Sequence, residues 1–313
     1  MQIVLPGALP DSNAARELIP YLLKTAPTLV AWLQTSRASV RAADPVNTGC
    51  TPYEQWLLEK NGFSTQAGQN LNAGLGPLWA DKVTKRDQPV WLAELVHVSP
   101  SRDGAALLPA RELHITPEQS IALFDSAQAL FEGSGFTFYR TGTERWTLEP
   151  APGFAPRCAS PDLVSISSVN DWWPQDIEAR PWRRLVNELQ MLWFDHPVNQ
   201  ARYQLGQVPI NSLWLFGGAR PDQLQKPASH DDTQVFTTLS AHAMAQDWGG
   251  WIAALSELEE TVFKPLAPRQ PAPELVLLGR EKIIELKPKA LSKWTQWLPG
   301  SRDTWRKWWS PQN

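Results

Sequence analysis

Two apolar patterns alternate along this chain, helix-spaced stripes and strand-length runs. Gln2 to Leu5 opens as a short apolar strand. Asp11 or Ser12 caps a helix running towards Tyr21, with Leu18, Ile19, Leu22 and Leu23 as its stripe. Pro27 interrupts it, and a second helix carries Leu29, Val30 and Leu33. Thr35 to Gly49 reads as a polar loop. Thr51-Pro52 with Glu54 is a capping box that starts a helix ended by Gly62. VWLAELVHV from Val90 is strand-like, Thr116-Pro117 opens another helix, and Phe136 to Leu148 alternates around Thr-Gly as a hairpin. Leu163 to Ser168 and Thr233 to Ser240 read as short strands, Gly250 to Phe263 as an amphipathic helix, and ELVLLG from Glu274 as a buried strand that EKIIELKP pairs with or follows.

Strands alternating with helices predict an α/β fold with a mainly parallel sheet flanked by helices. The strand, helix and hairpin of residues 87–150 read as a smaller inserted α+β domain, leaving 1–86 and 151–313 as the core domain.

The patterns converge on Leu185 to Asp222. A helix there places Arg184 four residues before Glu188, an ion-pair spacing. Pro197 can open a second helix capped by Asp195 or His196, and Gly206 can close it in the left-handed conformation. Asn199 and Arg202 share a face of that helix. The apolar run Ser212 to Phe216 then leads into Gly217 and Gly218. In open α/β sheets ligands gather where a strand ends in a glycine-rich loop. Arg202 offers a planar fork for carboxylate or phosphate, and Asn199 can hold a hydroxyl or amide. The alternative is that both brace the link between the helices. Gly217-Gly218 is either a phosphate loop or a plain turn.

Composition narrows the function classes. Net charge is −3, which leaves no nucleic-acid footprint in the overall balance. Two cysteines, Cys50 and Cys158, are too few for a disulfide framework and read as reduced thiols of a cytoplasmic protein. The N-terminus has no basic stretch ahead of its short apolar run, so it does not read as a secretory signal. No run approaches the length of a transmembrane segment. The 17 tryptophans outnumber 4 tyrosines, and runs such as Trp172-Trp173 and Trp308-Trp309 either dock on their own domain or form a surface for a protein partner. Residues 280–307 carry eight basic and three acidic side chains among tryptophans that include Trp294, Trp297 and Trp305. Such a tail either lies on a charged surface or packs its indoles at home.

His196, Pro197, Val198, Asn199, Arg202, Gly206, Pro209, Asn211, Trp214 and Gly217 resemble a stretch of archaeal-type cofactor-independent phosphoglycerate mutases, members of the alkaline phosphatase superfamily. With Asn187 to Met191, the Thr51-Pro52 helix and Arg145-Trp146, most of the chain is similar to RpfE-like regulatory proteins related to those mutases. The resemblance implies an alkaline-phosphatase-like core, reduced, with an inserted domain. It also implies that the two-metal ligand set of active mutases is missing. Pro6-Gly7 stands where their first strand ends in Asp-Gly. Asp247 keeps the Asp of an Asp-x-x-x-His pair, but Trp251 replaces the His. Gly279-Arg280 replaces a late Asp-His. No cofactor and no metal are therefore expected. The expected function is a pseudoenzyme, regulatory or binding a small phosphorylated or anionic metabolite through Asn199, Arg202, Asn211, Gly217, Gly218 and His196. The alternatives are a metal-dependent phosphomutase or phosphohydrolase with rearranged ligands (Asp247, His230, Asp231) and a tryptophan-rich interaction module.

Overall fold

The computed structural model describes residues 1–82, 86–102, 104–225, 232–289 and 304–310. Among them are ten strands: β1 Gln2–Leu9, β2 Ser36–Ala42, β3 Val90–Ser101, β4 Gly104–Leu108, β5 Phe136–Tyr139, β6 Arg145–Pro150, β7 Ser212–Ala219, β8 Thr233–Val235, β9 Glu274–Gly279 and β10 Lys282–Pro288. The chain forms two compact units, Met1–Asp44 with Ala228–Asn313, and Pro45–Pro227. Each has its own apolar core.

The first unit is a five-stranded mixed sheet in the order β2-β10-β9-β1-β8. β1 runs parallel to β8 and β9, while β10 is antiparallel to both β9 and β2. Ile3, Val4 and Leu5 are wholly buried, as expected of a strand covered on both faces. Asp11 caps the helix Ser12–Thr25 by accepting from the amides of Asn13 and Ala14. The helix Pro27–Thr35 has no side-chain cap of its own. The buried carboxylate of Glu259 takes its place, accepting from Thr28 N at 3.0 Å, where the positive end of the helix dipole favours an anion. Trp305 and Trp309 are buried in this core, and the Trp309 indole donates to Ala15 O at 3.2 Å. The aromatic C-terminus thus packs at home at these two positions. Trp294 and Trp297 lie outside the described residues.

The second unit is built on β3, which pairs antiparallel with β4, β6 and β7, and β6 pairs antiparallel with β5. The helices Pro117–Phe131 and Arg180–Phe194 pack against each other beside this sheet. Trp146 and Trp193 meet edge-to-face at 6.1 Å. Their indole N–H groups donate to Ser120 and Ser126 of the first of these helices, satisfying two donors that burial would otherwise leave unpaired.

Several expectations change. The fold is mixed α/β, but a mainly parallel sheet is not what forms: among the described residues only the pairings of β1 are parallel. The strand expected at Leu163 to Ser168 is the helix Pro161–Ser165, started by Ser160 as cap and Pro161 at the first turn. Only Thr233–Val235 of the expected strand forms, and Thr238–Ala245 is helical. The polar stretch after Thr35 holds the edge strand β2. Positions 86/87 and 150/151 both lie within the second unit, where β3 zips to β7 from Val90↔Ala219 to Val96↔Ser212. Among the described residues no helix is long and apolar enough to cross a membrane.

Candidate functional site

The helix Arg180–Phe194 turns Trp182, Leu185, Val186, Leu189 and Trp193 inwards. Arg184 Nε and Glu188 Oε1 pair at 2.8 Å on its outer side. The next helix, Pro197–Gln204, begins as the sequence predicts: His196 Nδ1 accepts from Val198 N at 3.2 Å. Accepting at that nitrogen requires it to be unprotonated, and burial pushes the His196 pKa down, in the same direction. Gly206 follows with φ +69°.

Asn199 is buried, and its amide spans the link between the helix and β7. It donates to Trp193 O at 2.8 Å and Ile210 O at 2.7 Å and accepts from Ile210 N at 2.8 Å. Arg202 is also buried and holds three neutral acceptors: Val208 O at 2.8 Å, Gln119 Oε1 at 2.8 Å and Leu113 O at 2.6 Å. Desolvation lowers its pKa. Asn211 imitates one more residue of strand pairing, accepting from Val98 N and donating to Val98 O, each at 2.8 Å. These contacts match the bracing role for Asn199 and Arg202.

Gly217 and Gly218 lie within β7 rather than in a loop beyond it. Both have positive φ, +90° and +107°. A side chain on Gly217 would strike Gly76 Cα and Val90 O, each at 2.8 Å, and one on Gly218 would strike the Trp91 ring at 2.5 Å. Gly217 N is held by Asn72 Oδ1 at 3.1 Å, and Gly218 O accepts from Gln69 Nε2 at 3.1 Å. The pair therefore gives close packing against an antiparallel strand.

Asn199 and Asn211 do line a large open groove of about 1060 Å³. Its walls come from β3 and β4 (His97 to Pro100, Gly104 and Ala105) and from Gln190, Trp193, Phe194, Asp195, Gln200, Tyr203, Gln204 and Pro209. Phe194 and Tyr203 stand 79% and 81% exposed at this groove. His97 Nδ1 contacts Pro209 O at 2.9 Å, and burial depresses its pKa. Among the described residues of the lining Asp195 is the one acidic side chain, and no Lys or Arg contributes.

In the first unit, the positions where the resemblance expects metal ligands lie at the carboxyl end of β1. Trp251 is fully buried and donates its indole N–H to Gly7 O at 2.9 Å. Gly7 has φ +79°, with Ser240 Cα 2.7 Å from where its Cβ would be. Asp247 caps the helix Trp248–Leu258 through Gly250 N at 2.9 Å and pairs with His242 Nδ1 at 2.9 Å. Those bonds lower the Asp247 pKa. An indole donates only, and proline has no ligating side chain, so these residues do not fit a two-metal centre. Among the described residues no three His, Cys, Asp or Glu side chains are grouped as metal ligands would be. His230 and Asp231 lie outside the described residues.

No family model matches the chain. The probable 2,3-bisphosphoglycerate-independent phosphoglycerate mutase of Geobacter sulfurreducens is 24% identical over 141 residues, 42% of this chain and 33% of that protein. The chain is thus distantly homologous to cofactor-independent phosphoglycerate mutases, and the match spans about a third of that relative's length. Two solved structures are similar over most of their length. The cofactor-independent phosphoglycerate mutase of Thermoplasma acidophilum is 12% identical with TM-score 0.35, covering 93% of this chain and 90% of that one. The PH0037 protein of Pyrococcus horikoshii is 11% identical with TM-score 0.45, covering 93% and 87%.

Two features escaped the sequence pattern. One is the groove, whose walls are distant in sequence. The other is Glu54, expected only as a cap. It is wholly buried, and its Oε2 accepts from Thr51 N, Thr51 Oγ1 and Ser160 Oγ, while Oε1 has no partner among the described residues. Burial pushes its pKa up to about 7. The capping box was legible; the burial was not.

Proposed function

We propose that this chain is a non-catalytic protein of phosphoglycerate-mutase-like descent, with a regulatory role exercised by binding rather than turnover. The observation that carries this reading is the Trp251 indole seated on Gly7 O at 2.9 Å. It fills with a donor-only side chain the place where catalysis would need cation ligands. The groove of the second unit is the binding surface. The lack of Lys and Arg among its described lining residues makes it a poor receptor for a phosphorylated metabolite, which needs charge-assisted donors. The small-anion form of the reading would instead have to recruit Arg202 away from its three carbonyl-type acceptors.

The test is an assay of 2- and 3-phosphoglycerate interconversion and of phosphate release with Mn²⁺, Mg²⁺ or Zn²⁺ added, together with metal analysis of the purified protein. Background rates and substoichiometric metal are expected. Turnover, or one tightly bound Mn or Zn per chain, would overturn the reading.

A second reading, a metal-dependent phosphomutase or phosphohydrolase with rearranged ligands, is favoured by the His242–Asp247 pair, whose Asp247 caps the helix that carries Trp251. It requires that Asp247→Asn abolish a measurable metal-dependent activity.

A further inference from the structure

The second unit carries an apolar face that its own fold leaves uncovered. On the helix Arg180–Phe194, Met191 and Phe194 lie three residues apart and are 72% and 79% exposed. On and after the next helix, Tyr203 and Leu205 are 81% and 73% exposed. Phe194 and Tyr203 protrude at the mouth of the 1060 Å³ groove. A projecting aromatic pair beside a concave apolar wall is an unusual combination for a free surface, where large apolar patches mark association sites. Among the described residues none of the large apolar side chains classed as exposed is a tryptophan, so this face, rather than a tryptophan-rich one, is the candidate for a protein contact.

We propose that this face joins two copies of the chain, with Phe194 and Tyr203 of each copy entering the groove of the other. Three features select a second copy. First, a two-fold contact sets a surface against itself, so any net charge is repelled by its twin. Among the described residues this lining has no Lys or Arg and a single carboxyl side chain, Asp195, and it suits that constraint better than it suits a charged partner. Second, Gln190, Gln200 and Gln204 supply the polar groups. A primary amide both donates and accepts, so identical amides can bond to one another. Third, the fourteen lining residues that are at least partly exposed, with Met191, Leu192, Leu205 and Val208 beside them in the chain, come close to the roughly 20 residues a side at the lower end of a standard interface. A small molecule could occupy the groove but would leave both protruding rings in water. The inference rests on the reading that the chain works by binding, yet its test involves no turnover, so the two can fail separately.

The experiment is sedimentation velocity of the full chain from about 1 to 100 µM, an ordinary range for such interfaces. A species of twice the 35.1 kDa chain mass, dissociating on dilution, is expected. Phe194→Glu with Tyr203→Glu should raise the dissociation constant at least tenfold, with an unchanged far-UV circular dichroism spectrum and melting temperature because both side chains are exposed. Should that variant misfold, Tyr203→Ala alone is expected to weaken the dimer measurably. The wild-type constant should change little between 50 and 500 mM NaCl, since the contact is nearly uncharged. A wild type that stays at 35.1 kDa throughout, a folded variant that still dimerises fully, or a dimer that salt dissolves would overturn the proposal.

Discussion

The Ser160 hydroxyl donates to the Glu54 carboxyl at 2.6 Å, and neither residue has any exposed surface. This contact joins the capping-box carboxyl of the helix Pro52–Lys60 to the N-cap of the helix Pro161–Ser165. The other carboxyl oxygen has no partner among the described residues, the geometry of an oxygen that can carry a proton. Burial is the main cause of the raised pKa, partly offset by the bonds from Ser160 and Thr51, while Glu94 raises it further; the Cys50 and Tyr53 pKa values are in turn raised, by burial and by Glu54.

Glu54 therefore makes stability depend on pH. Its folded value is about 7 against an ordinary 4.5. The unfolded chain ionises first, so the contribution is fully present below about 4.5 and is lost as pH rises through about 7. At about 1.4 kcal/mol per pKa unit the loss is on the order of a few kcal/mol. Urea unfolding at pH 5, 6, 7 and 8 measures it. His97 and His196, whose values are lowered, act in the opposite sense, so the quantity to read is the difference between wild type and Glu54→Gln. The difference should widen with pH in favour of the variant; parallel curves would rule the mechanism out.

Arg202 should behave as a brace. Arg202→Ala leaves Val208 O, Leu113 O and Gln119 without their donor, at about 1–3 kcal/mol for each buried group that water cannot reach. A fall of several kcal/mol in unfolding free energy is expected. Arg202→Lys should rescue it only in part, since an ammonium cannot span three acceptors in a plane. Thermal melts with 3-phosphoglycerate or inorganic phosphate should show no shift for wild type. A wild-type shift that Arg202→Ala removes would instead place an anion at this residue.

Two glycines separate packing from backbone preference. Gly206→Ala meets nothing within 4 Å and should cost only its left-handed backbone, about 1 kcal/mol. Gly218→Ala combines φ +107° with a clash on Trp91 at 2.5 Å and should cost clearly more. Chemical denaturation of the two variants checks the order. Equal costs would mean that β7 and Trp91 are less tightly packed than the structure shows.

The Trp251 indole should be a stability element of the first unit. Trp251→Phe removes the donor to Gly7 O and some volume, about 1–3 kcal/mol. Trp251→Ala leaves a large cavity in a wholly buried site, about 3–5 kcal/mol. EDTA should leave the wild-type melting temperature unchanged, and a drop would reveal a structural cation.

What the chain's local order determined by itself is considerable. Thr51 with Glu54, Thr116 with Pro117, His196-Pro197 and Gly206, and the hairpin from Phe136 all form as the residues predict. The caps depend on hydrogen bonds or backbone preferences within about four residues and the hairpin on pairs close in sequence, Tyr139↔Thr147 to Phe136↔Pro150, so a single sequence contains all of the information. The Arg184–Glu188 pair belongs to the same class. Tertiary structure alone decided the rest. Apolar periodicity shows that β3 and β7 are buried, but not that they pair antiparallel and make one unit of residues expected in two domains. It does not reveal that Ser160 reaches Glu54 across 106 positions, or that Trp251 reaches Gly7 across 244. Nor does it say whether Arg202 faces a ligand or three main-chain and amide oxygens. Burial is paid back by whichever distant group has the complementary shape and the unpaired donor or acceptor, and that choice exists only once the chain has folded.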